Sequence, residues 1–210
     1  MSRVVRYLKS AQWSKDFPDG NKPEIAITGR SNAGKSSFLN HWAKSDVARV
    51  SQAPGRTRLL NFFEAANGKY RWVDLPGYGF AARGHAERDE WAEMIELYLA
   101  DRDCLVGAIL VMDCRREWSE DEEALKEFMN TTGRSLCVVA TKIDKLKPNE
   151  VRKLEQSLRK ASGSPVFMVS NTKKIGAEEV EEFLFKSWVL PALNAKKKTK
   201  PVADEAVEGE

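Results

Sequence analysis

The stretch Gly29-Arg30-Ser31-Asn32-Ala33-Gly34-Lys35-Ser36 constrains this chain more than any other. It matches G-x-x-x-x-G-K-S/T without a gap, and it sits between a short apolar run, Glu24 to Thr28, and helical periodicity from Ser36. Glycines at 29 and 34 permit backbone angles and close approach that a side chain would forbid, so successive N–H groups can turn onto phosphate oxygens. Lys35 then reaches the outer phosphates, Ser36 offers a hydroxyl to Mg²⁺, and the helix start adds a positive dipole end facing the same anion. A glycine-rich turn that happens to fit is the alternative, and the rest of the chain has to decide.

Strand-like and helical segments alternate downstream. Arg58 to Glu64 and Lys69 to Val73 are β-like runs joined by Ala65-Ala66-Asn67-Gly68, and Asn-Gly predicts an antiparallel hairpin. Leu105 to Met112 and Leu136 to Ala140 read as strands buried on both faces of a parallel sheet. Helical spacing appears over Glu87 to Leu99, from Ser119 with a Ser-x-x-Glu capping box, after Pro148, and from Ala177 to about Leu190, where Pro191 is expected to end the helix. The fold class this predicts is α/β, a mostly parallel six-stranded sheet with one antiparallel strand and helices on both faces. Residues 1–22 are expected to form an N-terminal extension over a nucleotide-binding domain at 23–193, with a disordered charged tail at 194–210.

Composition excludes several classes. No apolar run approaches the ~20 residues that span a bilayer, and Met1 to Ser10 lacks a signal core, so a cytoplasmic protein is expected. Cys104, Cys114 and Cys137 show no metal or disulfide spacing. A net charge of +3 excludes a dedicated polybasic binder. His41 and His85 have no cysteine or second histidine at metal spacing.

Four further motifs fall where strands should end. Asp74-Leu75-Pro76-Gly77 can hold Mg²⁺ through a water at Asp74, while Gly77 lets its N–H approach a γ-phosphate. Thr141-Lys142-Ile143-Asp144 can read guanine, because Asp144 accepts from N1–H and the exocyclic amine while the Lys142 stem covers the base. A site built on such bonds rejects the wrong base by ~10⁴. Ser170-Asn171 follows the last strand and can bring a backbone N–H to guanine O6. Pro54-Gly55-Arg56-Thr57-Arg58 has no apolar periodicity, and Thr57 can place its hydroxyl on Mg²⁺ and its N–H on the γ-phosphate, a segment that orders with GTP.

These motifs, in this order, resemble the bacterial EngB (YihA/YsxC) family of ribosome-biogenesis GTPases over roughly Pro23 to Leu190, through Gly29 to Ser37, Pro54-Gly-Arg-Thr57, Asp74-Leu-Pro-Gly-Tyr-Gly79, Thr141 to Lys145 and Ser170 to Lys174. The resemblance implies a Ras-like P-loop fold, GTP/GDP and Mg²⁺ as ligands, slow hydrolysis, and association of a monomer with the large ribosomal subunit or its precursor. It also implies a link to cell division and septation. The nucleotide contacts it implies are 29–37, Gly55 to Thr57, Asp74 to Gly77, Thr141 to Asp144 and Val169 to Asn171, with Ser36, Thr57 and Asp74 at the metal. Lys35, Thr57, Gly77 and Asn32 take catalytic parts. One departure is Ser170-Asn171, where relatives commonly carry two small residues.

Tyr78 stands where small GTPases often have a water-orienting glutamine, so intrinsic turnover should be slow. Asn32 either holds a potassium ion against the phosphates, as in related GTPases with asparagine there, or caps its own loop. Arg56 and Arg58 are charge donors or RNA contacts, and Arg152, Lys153, Arg159, Lys160, Lys173, Lys174 and Lys196 to Lys200 are candidates for RNA or simply solvated. Two other readings stand beside the switch: a binding module whose loops GTP merely orders, and a small-molecule kinase using the same phosphate loop, against which Asp144 argues.

Overall fold

The structure is a computed structural model that describes residues 5–43, 59–77 and 85–198. Its strands are β1 Arg6–Ala11, β2 Glu24–Thr28, β3 Leu60–Ala65, β4 Tyr70–Asp74, β5 Leu105–Asp113, β6 Ser135–Thr141 and β7 Val166–Met168. The helices are α1 Lys35–Ala43, α2 His85–Asp101, α3 Glu120–Thr131, α4 Pro148–Ser162, α5 Ala177–Leu184 and α6 Leu190–Lys198.

One sheet takes the order β1-β3-β4-β2-β5-β6-β7. It has seven strands where six were expected, because Arg6–Ala11 pairs antiparallel with β3 at the sheet edge. Its residues are poor in the strict alternation that marks a strand, and a register shift between Tyr7 and Lys9 interrupts what alternation there is. β3 runs antiparallel to both neighbours, and the remaining pairings are parallel. The β3–β4 hairpin forms at the expected turn, with left-handed backbone at Ala66, Asn67 and Gly68 and the Lys69 N–H donating to Ala65 O at 3.1 Å.

Both faces of the sheet are covered, which explains the unbroken apolar runs. On β2, Ile25 and Ile27 face one core with Phe38, Trp72, Val180 and Trp188, while Ala26 faces the other with Phe62, Val73, Tyr98 and Leu158. Every residue of β2 and β4 is buried. The α3 start carries the expected Ser119–Glu122 arrangement, with the Ser119 N–H donating to Glu122 Oε2 at 3.0 Å. On α4, Leu158 is buried while Arg152, Lys153, Arg159 and Lys160 are exposed.

Pro191 does not end the last helix. A π-helical turn, Phe185–Val189, follows α5, and the Leu190 N–H donates to Phe185 O, five residues back. The widened turn accommodates a ring that would clash in a regular α-helix, and α6 continues to Lys198.

At the start of β2, the fully buried Glu24 gathers three side chains. Its carboxylate accepts from Arg102 Nη2 at 2.8 Å and Nε at 3.0 Å, Tyr98 OH at 3.1 Å and Arg71 Nη1 at 3.2 Å. The guanidiniums also donate to the carbonyls of Pro18 and Asp19, and Arg71 Nη2 donates to Asn21 Oδ1 at 3.3 Å.

Candidate nucleotide-binding site

The sequence motifs within the described residues converge at the carboxyl ends of β2, β4, β6 and β7, the edge where ligands bind open α/β sheets. Residues 29–34 leave β2 and turn into α1. Gly29 has φ +142°, and a Cβ there would lie 2.2 Å from Val111 O, so neither the conformation nor the space admits a side chain. Thr141 at the end of β6 holds the loop from beneath, its hydroxyl 2.6 Å from Ala33 O and 3.0 Å from Met112 O. Ser36 is half-buried, and Arg30, Ser31, Asn32 and Ser37 line the loop's outer side.

Lys35 donates to Gly29 O at 3.1 Å. Burial holds its ammonium below the usual lysine range, and the charge of Asp74 partly opposes that. Asp74 closes β4, and the Leu75 N–H donates to Ile27 O at 2.9 Å, which extends the β4–β2 pairing. Burial pushes the Asp74 carboxyl up to about 6 against the pull of Lys35, and its Oδ1 is buried with no hydrogen-bond partner among the described residues. An orphaned buried carboxylate oxygen costs free energy unless a ligand completes it. Leu75 and Pro76 are buried, and Gly77 sits against the loop: a Cβ on it would lie 2.9 Å from Lys35 Nζ and 3.1 Å from Ser31 N.

Thus Lys35, Asp74 and Gly77 meet against the loop 29–34. Ser36 and Asp74 suit Mg²⁺ by donor chemistry, a hydroxyl and a carboxylate oxygen with no partner among the described residues. The third expected ligand, Thr57, lies outside the described residues, as do Gly55, Arg56, Arg58 and Tyr78.

On the other side, Lys142 takes the left-handed conformation, φ 61°, and turns the chain out of β6. Its Nζ donates to Asn32 O at 2.9 Å, linking this loop to the phosphate loop. Asp144 Oδ1 accepts from Ser170 Oγ at 2.6 Å, and that hydroxyl, then the residue's own backbone N–H and Lys145, hold the carboxyl below its ordinary range against the effect of burial. Ser170 Oγ also accepts from the Lys173 N–H at 3.1 Å, so Asp144 has a fixed orientation and free acceptor capacity. The Ile143 N–H donates to Val169 O at 3.4 Å, which joins the two loops. Asn171 Oδ1 is buried without a partner among the described residues.

Two features escaped the sequence reading. Asp113, at the end of β5, accepts from Lys142 Nζ at 2.9 Å and, through both oxygens, from Arg115 Nε and Nη2 at 2.9 and 2.6 Å. Arg30 Nη1 donates to Asp121 Oδ2 at 2.8 Å, joining the phosphate loop to the first turn of α3. An aspartate closing a buried strand, as at Asp74, was the available signal for Asp113.

This fold and this site define a P-loop GTPase. A family model described as "50S ribosome-binding GTPase" matches residues 24–142. A probable GTP-binding protein EngB of Bdellovibrio bacteriovorus is 51% identical over 190 residues, covering 90% of this chain and 94% of its own length. That of Syntrophus aciditrophicus is 41% identical over 174 residues, 82% of this chain and 88% of the relative. The crystal structure of a probable GTP-binding protein engB shares the fold, with TM-score 0.65 at 21% identity over 82% of this chain and 99% of that one. The chain belongs to the EngB family of GTP-binding proteins.

Proposed function

We propose that this chain binds GTP and GDP with Mg²⁺, hydrolyses GTP slowly, and uses the nucleotide state of the Thr57 and Tyr78 loops to control association with the maturing large ribosomal subunit. The observation that carries this reading is Asp74: a buried carboxylate with an oxygen unpartnered among the described residues, beside a half-buried lysine and a glycine packed on the phosphate loop. Such a group is costly alone and is completed by a cation and its phosphate.

The bound Mg²⁺ would neutralise charge on the outer phosphates. The loop 29–36 cradles the phosphates with its N–H groups, and Lys35 exchanges Gly29 O for a phosphate oxygen. Ser36 and Thr57 would hold the metal, and Asp74 would hold it through a water. Gly77 brings its N–H near the transferred group, its close approach set by the absent Cβ. Asp144, oriented by Ser170, accepts from the guanine edge, while Val169 to Asn171 border O6. Tyr78 cannot orient water as a glutamine does, so turnover is slow unless a partner or a cation at Asn32 assists. Equal turnover in potassium and sodium chloride would remove the potassium ion from this account.

The exposed basic face of α4, with Lys173 and Lys174, fits ribosomal RNA phosphates. Effects on cell division and septation follow from defective subunit supply. The test is co-sedimentation with ribosomal subunits in GDP and in a non-hydrolysable GTP analogue. Nucleotide-dependent retention on the large subunit is expected, and identical behaviour in the two states refutes the switch.

A further inference from the structure

We propose that Asp113 is a positioning residue for nucleotide binding, acting through Lys142: it locks the lysine that covers the base to the loop that holds the phosphates. The inference rests on the reading of Lys142 as a base contact. Asp113 lies at the carboxyl end of β5, between the two loops, and is buried. Its Oδ2 accepts from Lys142 Nζ at 2.9 Å, and the same ammonium donates to Asn32 O at 2.9 Å. Two of the three lysine donors are thereby committed, one to each loop's support.

Arg115 stands on the solvent side and holds the carboxylate in place. Its guanidinium bridges both Asp113 oxygens, and its N–H donates to Oδ1 at 3.1 Å, so the carboxylate plane is fixed from the backbone as well. These bonds, Arg115 first and Lys142 after it, keep Asp113 ionised well below the usual carboxylate range. Both Lys142 and Asn32 have left-handed backbones, φ 61° at each, conformations that persist only where the surroundings hold them, and the Asp113–Lys142–Asn32 link is one such support. Beside them a cavity of about 380 Å³, lined by Ser31, Asn32, Asp113, Arg115 and Lys142 among others, gives a released lysine room to swing away.

The carboxylate is specifically required. In Asp113→Asn one oxygen becomes an NH₂ donor facing two cations, so Lys142 loses an ionic acceptor while the side-chain volume is kept. A charge-assisted hydrogen bond of this kind, with Lys142 about a third exposed, corresponds to roughly tenfold in an equilibrium constant.

The test is release of N-methylanthraniloyl-GDP, chased by excess GDP with Mg²⁺ present, from the full chain and its D113N, R115A, K142A and D113N/K142A variants. Release about tenfold faster in D113N and several-fold faster in R115A is expected, with less than about twofold added by D113N once Lys142 is alanine. A structural role alone would lower the melting temperature of nucleotide-free protein and accelerate release equally with or without Lys142, and that result overturns the proposal. So does release from D113N within about twofold of wild type. Should D113N fail to fold, R115A and R115A/K142A give the same cycle, since Arg115 is 58% exposed and its loss leaves the core intact. A wild-type chain that retains no labelled GDP refutes the underlying reading, and the positioning role with it.

Discussion

Replacing Asp74 by asparagine should stabilise the nucleotide-free protein while crippling its Mg²⁺-dependent nucleotide binding. Burial raises the Asp74 carboxyl from its ordinary 3.8 to about 6, which corresponds to about 3 kcal/mol held in keeping the group ionised at neutral pH. Because the folded value is raised, the folded state binds the proton more readily than the unfolded one. Stability therefore falls as pH rises from about 4 through about 6, and the full cost is present above that window. Asparagine removes the cost, but it also leaves the half-buried Lys35 without its counter-charge. The net gain at pH 7.5 should be about 2 kcal/mol, or roughly 4–8 °C in melting temperature for a chain of this size. Thermal melts of nucleotide-free wild type and D74N from pH 4 to pH 8 read this directly. The gap between them should close as pH falls through about 6, because wild type then carries a neutral acid in the same place. A D74N protein less stable than wild type at pH 7.5, or a gap that ignores pH, refutes the reasoning. Titration with GDP and Mg²⁺ should stabilise wild type far more than the variant.

Asp144→Asn presents a donor where guanine offers donors, so GDP affinity should fall on the order of 10⁴-fold and xanthosine diphosphate should bind in its place, as read by calorimetry. Gly29→Ala forces a Cβ to within 2.2 Å of Val111 O at a φ of +142°, and chemical denaturation should show a loss of about 3 kcal/mol or more together with lost nucleotide binding. Charge reversal at Arg152 and Lys153 on α4, both exposed, should weaken co-sedimentation with the large subunit and flatten its salt dependence without moving GDP affinity.

Much of the site was legible because its chemistry requires particular residue types at fixed spacing beside strand ends. The phosphate loop, Asp74-x-x-Gly77 and Thr141 to Asp144 lie where a reading of the strands puts them, since unbroken apolar runs such as Leu105–Met112 are buried on two faces. What the sequence could not show was connectivity across loops. The contacts of Asp113 with Arg115 and Lys142 join residues up to 29 positions apart through a bond no periodicity announces. Likewise β1 is a strand through its pairing with β3, because its own sequence alternates poorly. Pro191 misled for a local reason: the rule that proline ends a helix assumes regular α-helical spacing, and the π turn at Phe185–Val189 changes it.

The Glu24 hub bears on where this chain can be shortened. It sits at the opposite end of β2 from the phosphate loop, so a five-residue strand begins at an ionic anchor and finishes at the nucleotide. The peptide at Pro18 to Asn21 supplies acceptors to both arginines of that anchor. A chain begun at Lys22 would keep every motif residue yet strand two guanidinium groups on one carboxylate, and the resulting looseness would be transmitted along the strand to Gly29. Preserving the leading segment is therefore a condition for measuring nucleotide affinity faithfully, even though it carries none of the motif residues.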